Sequence, residues 1–249
     1  MKKTLYFLRQ VGFDPIKFIY ALKFLPHYVA TLFKFLRLNK SPNFKVSPVL
    51  QDFRAQAGSA DGHYFWQDLI CAQWIYAKAP NNHLDVGSRI DGFVAHLLSF
   101  MNVTLLDIRP LKVKIPNLTV EIGDAQKPLK EHEGSFKSVS SLHAIEHFGL
   151  GRYGDNLDVE GHRKGLVHIA ETVAKDGHLY VSFPIGKASV EFNEQRVIDP
   201  MFAQNVLTDF TLEEFVLIPW KGSPIFGTLP ENVDTRINGQ AGLYCFKRF

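Results

Sequence analysis

Three aspartates stand where short apolar runs give out: Asp85 in HLDVG, Asp107 in VTLLDIRP and Asp124 in LTVEIGDA. Asp107 follows Asp85 by 22 residues. An acid about 20 residues beyond a first strand-to-helix loop is placed to bind a ribose hydroxyl. Asp124 is placed to accept from an adenine amino group. The first loop reads Asp85-Val-Gly87-Ser88-Arg89-Ile-Asp91-Gly92. Gly87 permits a tight turn, and helix N-terminal amides follow it. A phosphate-binding loop would need Lys and Ser or Thr after Gly92, where Phe93 stands. A dinucleotide fingerprint would need glycine in place of Arg89. The ligand these residues suit is nucleoside-bearing and lacks a pyrophosphate. His143, Glu146 and His147 cluster in SSLHAIEHFGLGRYGD. An imidazole titrates near neutrality, so His143, then His147, is the candidate base, with Glu146 to orient either one. His-x-x-Glu-His is also a zinc-hydrolase pattern. It needs a long helix, which Gly149 and Gly151 stop, so no metal is expected.

The elements that must hold these residues follow from the apolar pattern. HYFWQDLICAQWIYAKA repeats at helical spacing and ends before Pro80. Strands are expected at HLDVG, VTLLDIRP, LTVEIGDA, FKSVSSLHA and GHLYVSFPIG, with TLEEFVLIPW and AGLYCFKRF as a closing pair. Helices are expected at DGFVAHLLSFM, at EGHRKGLVHIAETVAKDG (ending at Gly177) and near 198–207. Alternation of this kind predicts a mostly parallel sheet with helices on both faces. Ligands then bind beyond the carboxyl ends of the strands. Beyond the fifth strand, Ser182–Pro200 is rich in polar groups. Glu191, Asn193 and Arg196 either grip an acceptor, together with Arg152, Tyr153 and Asp155, or pin a long loop. Tyr153 or Trp220 could supply a stacking face.

Charge is uneven along the chain. Residues 1–40 hold eight Lys or Arg against the single acid Asp14, whereas the remainder is mildly acidic. A nucleic-acid-binding face spread over the fold is therefore not expected. Lys17, Lys23, Lys34 and Arg37 interrupt every apolar run there, leaving nothing near the roughly 18 residues of a membrane span. Two helices are expected, about 15–24 and 27–38, broken at Pro26. They serve either as an interfacial anchor or as a cap on the domain. The division expected is an extension and linker over 1–62 and a catalytic-type domain over 63–249. Cys71 and Cys245 read as buried thiols of a reducing compartment.

LDVGSRIDGF, LLDIRP, GDA, SLHAIEHF and GHLYVSFPIG together resemble the class I S-adenosylmethionine-dependent methyltransferases over about 80–249. DVGSRIDGFVAH, LHAIEHFGLGRYGD and FPIGKASVEFNEQRVIDP are also similar to a methyltransferase-like family known only as a domain of unknown function, often linked with bacterial surface polysaccharides. The resemblance implies a Rossmann-like fold with a mostly parallel seven-stranded sheet and an antiparallel closing strand. It also implies S-adenosylmethionine as cofactor, held by Asp85, Gly87, Ser88, Arg89, Asp107, Ile108, Asp124, Ala125 and Leu142. Arg89 and Asp91 depart from the superfamily's usual glycines. Arg89 either binds the methionine carboxylate or blocks the site. The implied activity is O- or N-methylation of a sugar or glycan intermediate. A cytoplasmic protein is expected, peripheral to the inner membrane face if residues 1–40 serve as an anchor instead of a cap. The alternative is a non-catalytic scaffold of the same fold in a membrane-associated glycan assembly.

Overall fold

The computed structural model describes residues 12–41, 43–50, 53, 58 and 60–249. The chain forms two compact units, Met1–Ser59 and Ala60–Phe249. In the first, helix α1 runs unbroken over Pro15–Leu38. Asp14 caps it by accepting from the amides of Ile16 (3.0 Å) and Lys17 (3.2 Å). The break expected at Pro26 does not occur. Proline removes one amide bond at a cost of about 3 kcal/mol, but its fixed φ is helical, and 24 residues of helix carry that loss. Phe24 is the residue this helix buries, 5.0 Å from the Phe53 ring.

In the second unit, α2 (His63–Lys78) ends where Ala79 takes a left-handed conformation before Pro80. The strands are β1 (Leu84–Val86), β2 (Val103–Asp107), β3 (Leu118–Ile122), β4 (Phe136–Leu142), β5 (Val173–Ile185), β6 (Ser189–Glu191), β7 (Gln195–Val197), β8 (Phe210–Pro219), β9 (Ile225–Phe226) and β10 (Gln240–Arg248). They form one sheet in the order β3-β2-β1-β4-β5-β10-β8-β9, with β6–β7 as a separate hairpin. The first five strands are parallel, and β10 is antiparallel to both neighbours. The expected strands all form. The eighth, β9, is a two-residue edge too short to leave a periodic signal.

Alternation along the strands divides the core between the two faces. Leu179, Val181 and Phe183 of β5 pack with Leu166 and Ile169 of α4 (Gly161–Glu171). Tyr180, facing the other way, joins Ile75 of α2, Phe93, and Leu97 of α3 (Ala95–Leu98). A π turn over Ile90–Val94 opens into α3, so the helix expected at DGFVAHLLSFM is shorter and less regular than its pattern. Helix α4 also ends early. The Thr172 hydroxyl donates back to the Ile169 carbonyl at 2.7 Å, and Val173 already pairs with Phe136. Pairing then slips and resumes at Ser138 and His178, with Asp176 at φ +58. The stretch VAKDG, expected to be helical, is the bulged start of β5. Helix α5 is confined to Phe202–Val206.

Just before β1, His83 is buried between the hydroxyls of Ser138 (Nδ1, 2.7 Å) and Ser140 (Nε2, 2.8 Å). Ser140 donates its own proton to Asp85, so Nε2 carries the His83 proton and Nδ1 accepts from Ser138. Burial pushes this imidazole down to about 3. The unfolded chain therefore takes up a proton near pH 6.5 that the native state refuses, and this loses stability as pH falls below 6.5. We expect the stability advantage of wild type over His83→Asn to shrink by about 2–3 kcal/mol between pH 7 and pH 4.5. Urea denaturation across that range checks it. A constant difference would show that the folded protein protonates His83 as readily as the unfolded chain does.

Candidate active site

A cavity of about 690 Å³ opens beyond the carboxyl ends of β1, β2, β3 and β4. Its floor is the β1 loop. Gly87 turns there with φ +75, its amide donates to the Leu106 carbonyl at 2.9 Å, and a Cβ would sit 3.0 Å from that of Ala144. Substitution would thus be both strained and crowded. Asp85 does not line the cavity. It is fully buried and accepts from the Ser88 amide (3.1 Å), the Ser88 hydroxyl (2.7 Å) and the Ser140 hydroxyl (2.5 Å). Burial pushes its carboxyl up to about 6, against these donors, which favour the ionised form. Ser88 in turn accepts from the Leu142 amide at 3.0 Å. Leu142 is buried with its side chain in the core. Asp85 and Leu142, expected as ligand contacts, instead tie β1 to β4, whereas Gly87 and Ser88 do line the cavity.

Arg89 is held by Asp91 (Nε–Oδ1 3.0 Å, Nη2–Oδ2 2.7 Å) and lies 5.5 Å from the Tyr64 ring. Both partners are well exposed, so the pair is a rim feature with little energetic weight. Asp107 receives three donors from Arg109: the amide (2.8 Å) and Nε (2.9 Å) on Oδ1, and Nη2 (2.7 Å) on Oδ2. A carboxylate has about four acceptor positions, so one remains on Oδ2. Asp124 accepts only the Gln126 amide, on Oδ1 at 3.0 Å, among the described residues. Ile108 and Ala125 complete this wall.

At the end of β4, His143 takes the left-handed conformation, φ +49, and its amide donates to the Ser182 carbonyl. Its Nδ1 meets Glu146 Oε1 at 2.7 Å. His143 Nε2 and Glu146 Oε2 are both buried and lack a hydrogen-bond partner among the described residues. His147 bonds the Glu194 carbonyl through Nδ1 at 2.7 Å, and its Nε2 is 3.8 Å from Glu146 Oε1. Burial holds the His147 imidazole below its ordinary range. Glu146 is fully enclosed and reaches the cavity only through these two rings.

Of the acceptor contacts expected, Arg152, Tyr153 and Asp155 line the cavity. Arg152 donates to the Glu194 carbonyl at 2.9 Å, and Tyr153 lies between Arg109 (4.5 Å) and Arg152 (5.2 Å). Asp155 folds its own loop by accepting from the amides of Gly149 (2.8 Å) and Gly151 (3.3 Å). Glu191, Asn193 and Arg196 lie outside the cavity. Glu191 is exposed on β6, and Asn193 forms the hairpin turn at φ +64. Arg196 is buried and donates to the carbonyls of Glu146 (3.3 Å), Phe148 (2.5 Å), Asp158 (3.3 Å) and Val159 (3.4 Å). Both terminal nitrogens are thus committed to backbone carbonyls, away from the cavity. The hairpin residues that do reach the cavity are Glu194 and Gln195. Trp220 lies outside it, edge-on to His63.

Sequence reasoning missed the first turns of α2. The His63 ring stacks on His143 at 5.3 Å and 5°, and Tyr64 lies 5.0 Å from the same ring. Burial and the neighbouring His143 push His63 down to about 4. Gln67 accepts from the Ser182 hydroxyl at 2.7 Å and donates to Asp68 at 3.2 Å. Burial pushes Asp68 up to about 7. The available signal was three polar residues, His63, Gln67 and Asp68, on the same buried face of α2 as Ile70, Cys71 and Ile75.

The family described as "Caenorhabditis protein of unknown function, DUF268" matches residues 96–214. No curated protein matches the chain. Solved structures similar to it include the N-methyltransferase NodS from Bradyrhizobium japonicum WM9 in complex with S-adenosyl-L-homocysteine. That similarity has a TM-score of 0.51 at 13% identity, over 76% of this chain and 89% of that one. A SAM-dependent methyltransferase from Anabaena variabilis ATCC 29413 is similar with a TM-score of 0.52 at 11% identity, over 75% and 86%. The chain has the α/β Rossmann-like methyltransferase fold, with an added N-terminal helix.

The placement of Arg196 has a direct consequence. Arg196→Ala should remove about 3–5 kcal/mol of stability by leaving buried carbonyls unpaired, whereas Glu191→Ala should stay within about 0.5 kcal/mol. Urea denaturation of both variants checks this, and equal small effects would contradict the clamp.

Proposed function

We propose that this protein is an S-adenosylmethionine-dependent methyltransferase acting on an oxygen or nitrogen of a polar acceptor, with a sugar or glycan intermediate as the preferred class. The observation that carries the reading is the His143–Glu146 pair. Its imidazole lines the same cavity as two strand-end carboxylates, with Glu146 enclosed behind it, and its Nε2 is buried and unpartnered among the described residues. Cavity volume suits a nucleoside-sized ligand together with a small acceptor. Asp107, with its one remaining acceptor position, and Asp124 suit ribose hydroxyls and an amino-bearing base. Val86, Leu106 and Val120 supply apolar walls between them. Arg89 lines the cavity with its guanidinium drawn onto Asp91.

The cofactor, when bound, supplies an already activated methyl group. The chain then has two tasks. Alignment of the acceptor is the larger, with about 7–11 kcal/mol available from positioning alone. Arg152, Tyr153 and Gln195 present the polar lining for this. The second task is to take the acceptor's proton. Glu146 accepts the Nδ1 proton of His143, which makes Nε2 the basic nitrogen and turns it into a proton acceptor. A neutral His63 against that ring adds no charge to oppose protonation.

Calorimetric titration with S-adenosylmethionine and S-adenosylhomocysteine tests the reading. Saturable binding is expected, weakened about 10- to 100-fold in Asp124→Ala by loss of a charged hydrogen-bond acceptor. In a screen of glycan intermediates, Glu146→Gln should lower turnover by about 10²–10⁴-fold while cofactor affinity holds within about threefold. Binding without turnover on any acceptor, with His143→Ala sparing the cellular role, would favour the scaffold alternative. Absence of binding by folded protein would overturn the reading altogether.

A further inference from the structure

The first unit carries a surface that the cavity chemistry does not use. At about 100° per residue, Phe18, Leu22, Leu25, Val29, Phe33 and Leu36 of α1 fall within one stripe about 80° wide. All six are solvent-exposed, from 39% at Val29 to 61% at Phe33. Phe24, the residue this helix buries, lies on the far side, so the helix's own packing uses a different face. Arg37, Lys23 and Lys34 follow one margin of the stripe in angular order. Among the described residues the only acid on or beside the helix is Asp14, which is engaged at the N-cap.

An exposed apolar stripe of this length is a docking face. Its flanking charge selects the occupant. A second copy of α1 would bring two basic margins together, and an acid-free stripe offers no compensating partner. A surface of anionic lipid headgroups meets both features at once: the apolar side chains enter the acyl boundary, and the margin meets negative charge. Helix α1 is also about 36 Å long, yet no described helix is apolar enough to cross a bilayer. The arrangement therefore suits a helix lying in the membrane plane.

We propose that α1 docks the protein on an anionic bilayer surface, with the Phe18–Leu36 stripe inserted and Lys23, Lys34 and Arg37 against the headgroups. The test is co-sedimentation of the full chain with vesicles of phosphatidylcholine alone or with one part in about three of phosphatidylglycerol. Binding is expected to the mixed vesicles, weaker by about tenfold or more without the anionic lipid, and falling as sodium chloride rises. The double variants Leu22→Glu with Phe33→Glu, and Lys23→Glu with Lys34→Glu, should each lose about tenfold or more, whereas Lys175→Glu on the other unit stays within about twofold. The salt response of the wild type gives a reading that does not depend on any variant folding. Equal partition to both vesicle types, or indifference to both double variants, overturns the proposal. Concentration-dependent self-association in sedimentation velocity that the stripe variant abolishes, with vesicle binding unchanged, would assign the face to a second copy instead.

Discussion

Much of the candidate site depends on a carboxylate that never touches its contents. Asp85 is buried without a cationic partner among the described residues, a placement that would be severely unfavourable if its oxygens were left bare. Two hydroxyls and an amide satisfy it, and each donor is itself anchored: Ser140 by His83, and Ser88 by the Leu142 amide. The result is a continuous chain of hydrogen bonds from Ser138 through His83, Ser140, Asp85 and Ser88 to the end of β4. It fixes the spacing of two adjacent strand ends. One strand end carries the Gly87 turn, and the other carries Ala144 and His143. A partly satisfied network of this kind would be worse than an apolar core, so its members succeed or fail as a unit.

A second constraint is electrostatic. The arginines of the rim are largely neutralised where they stand: Arg89 by Asp91, and Arg109 by Asp107. Burial keeps His63 and His147 toward their neutral forms. Arg152 bonds a backbone carbonyl and pairs with no carboxylate among the described residues. Net field in the cavity is therefore set by few groups, with Asp124 and the enclosed Glu146 prominent among the acids. Such a site suits a cationic centre better than the arginine count suggests.

Legibility in the sequence followed the strength of the local signal. Strands β1 and β2 read as short apolar runs and β3 as an apolar–polar alternation, so these strands and the acids at their ends were visible. Cavity membership was less so. Asp85 and Asp107 have similar settings in the sequence, yet one is enclosed with the help of a hydroxyl supplied 55 residues later and the other is not. Pro26 and Thr172 were misread for opposite reasons. A proline inside a long helix is outvoted by its neighbours, whereas a threonine beside a buried valine ends a helix whose apolar periodicity runs on. The N-terminal turns of α2 escaped notice because a polar residue on an apolar helix gains meaning only from what it packs against. For Arg196, charge suggested a substrate, but the four carbonyls it gathers come from two segments that no spacing rule connects.

The β6–β7 hairpin reaches the cavity in an unusual way. Its Glu194 carbonyl is shared by His147 and Arg152, so the contact is made by the main chain and survives any change of side chain at that position. What it cannot survive is a change of length. One residue added to or taken from the turn at Asn193 would move a different carbonyl, or an amide, to where two donors converge. Where two donors converge on a carbonyl, the length of the turn is fixed whatever side chain the position carries, a form of constraint that counts residues instead of naming them.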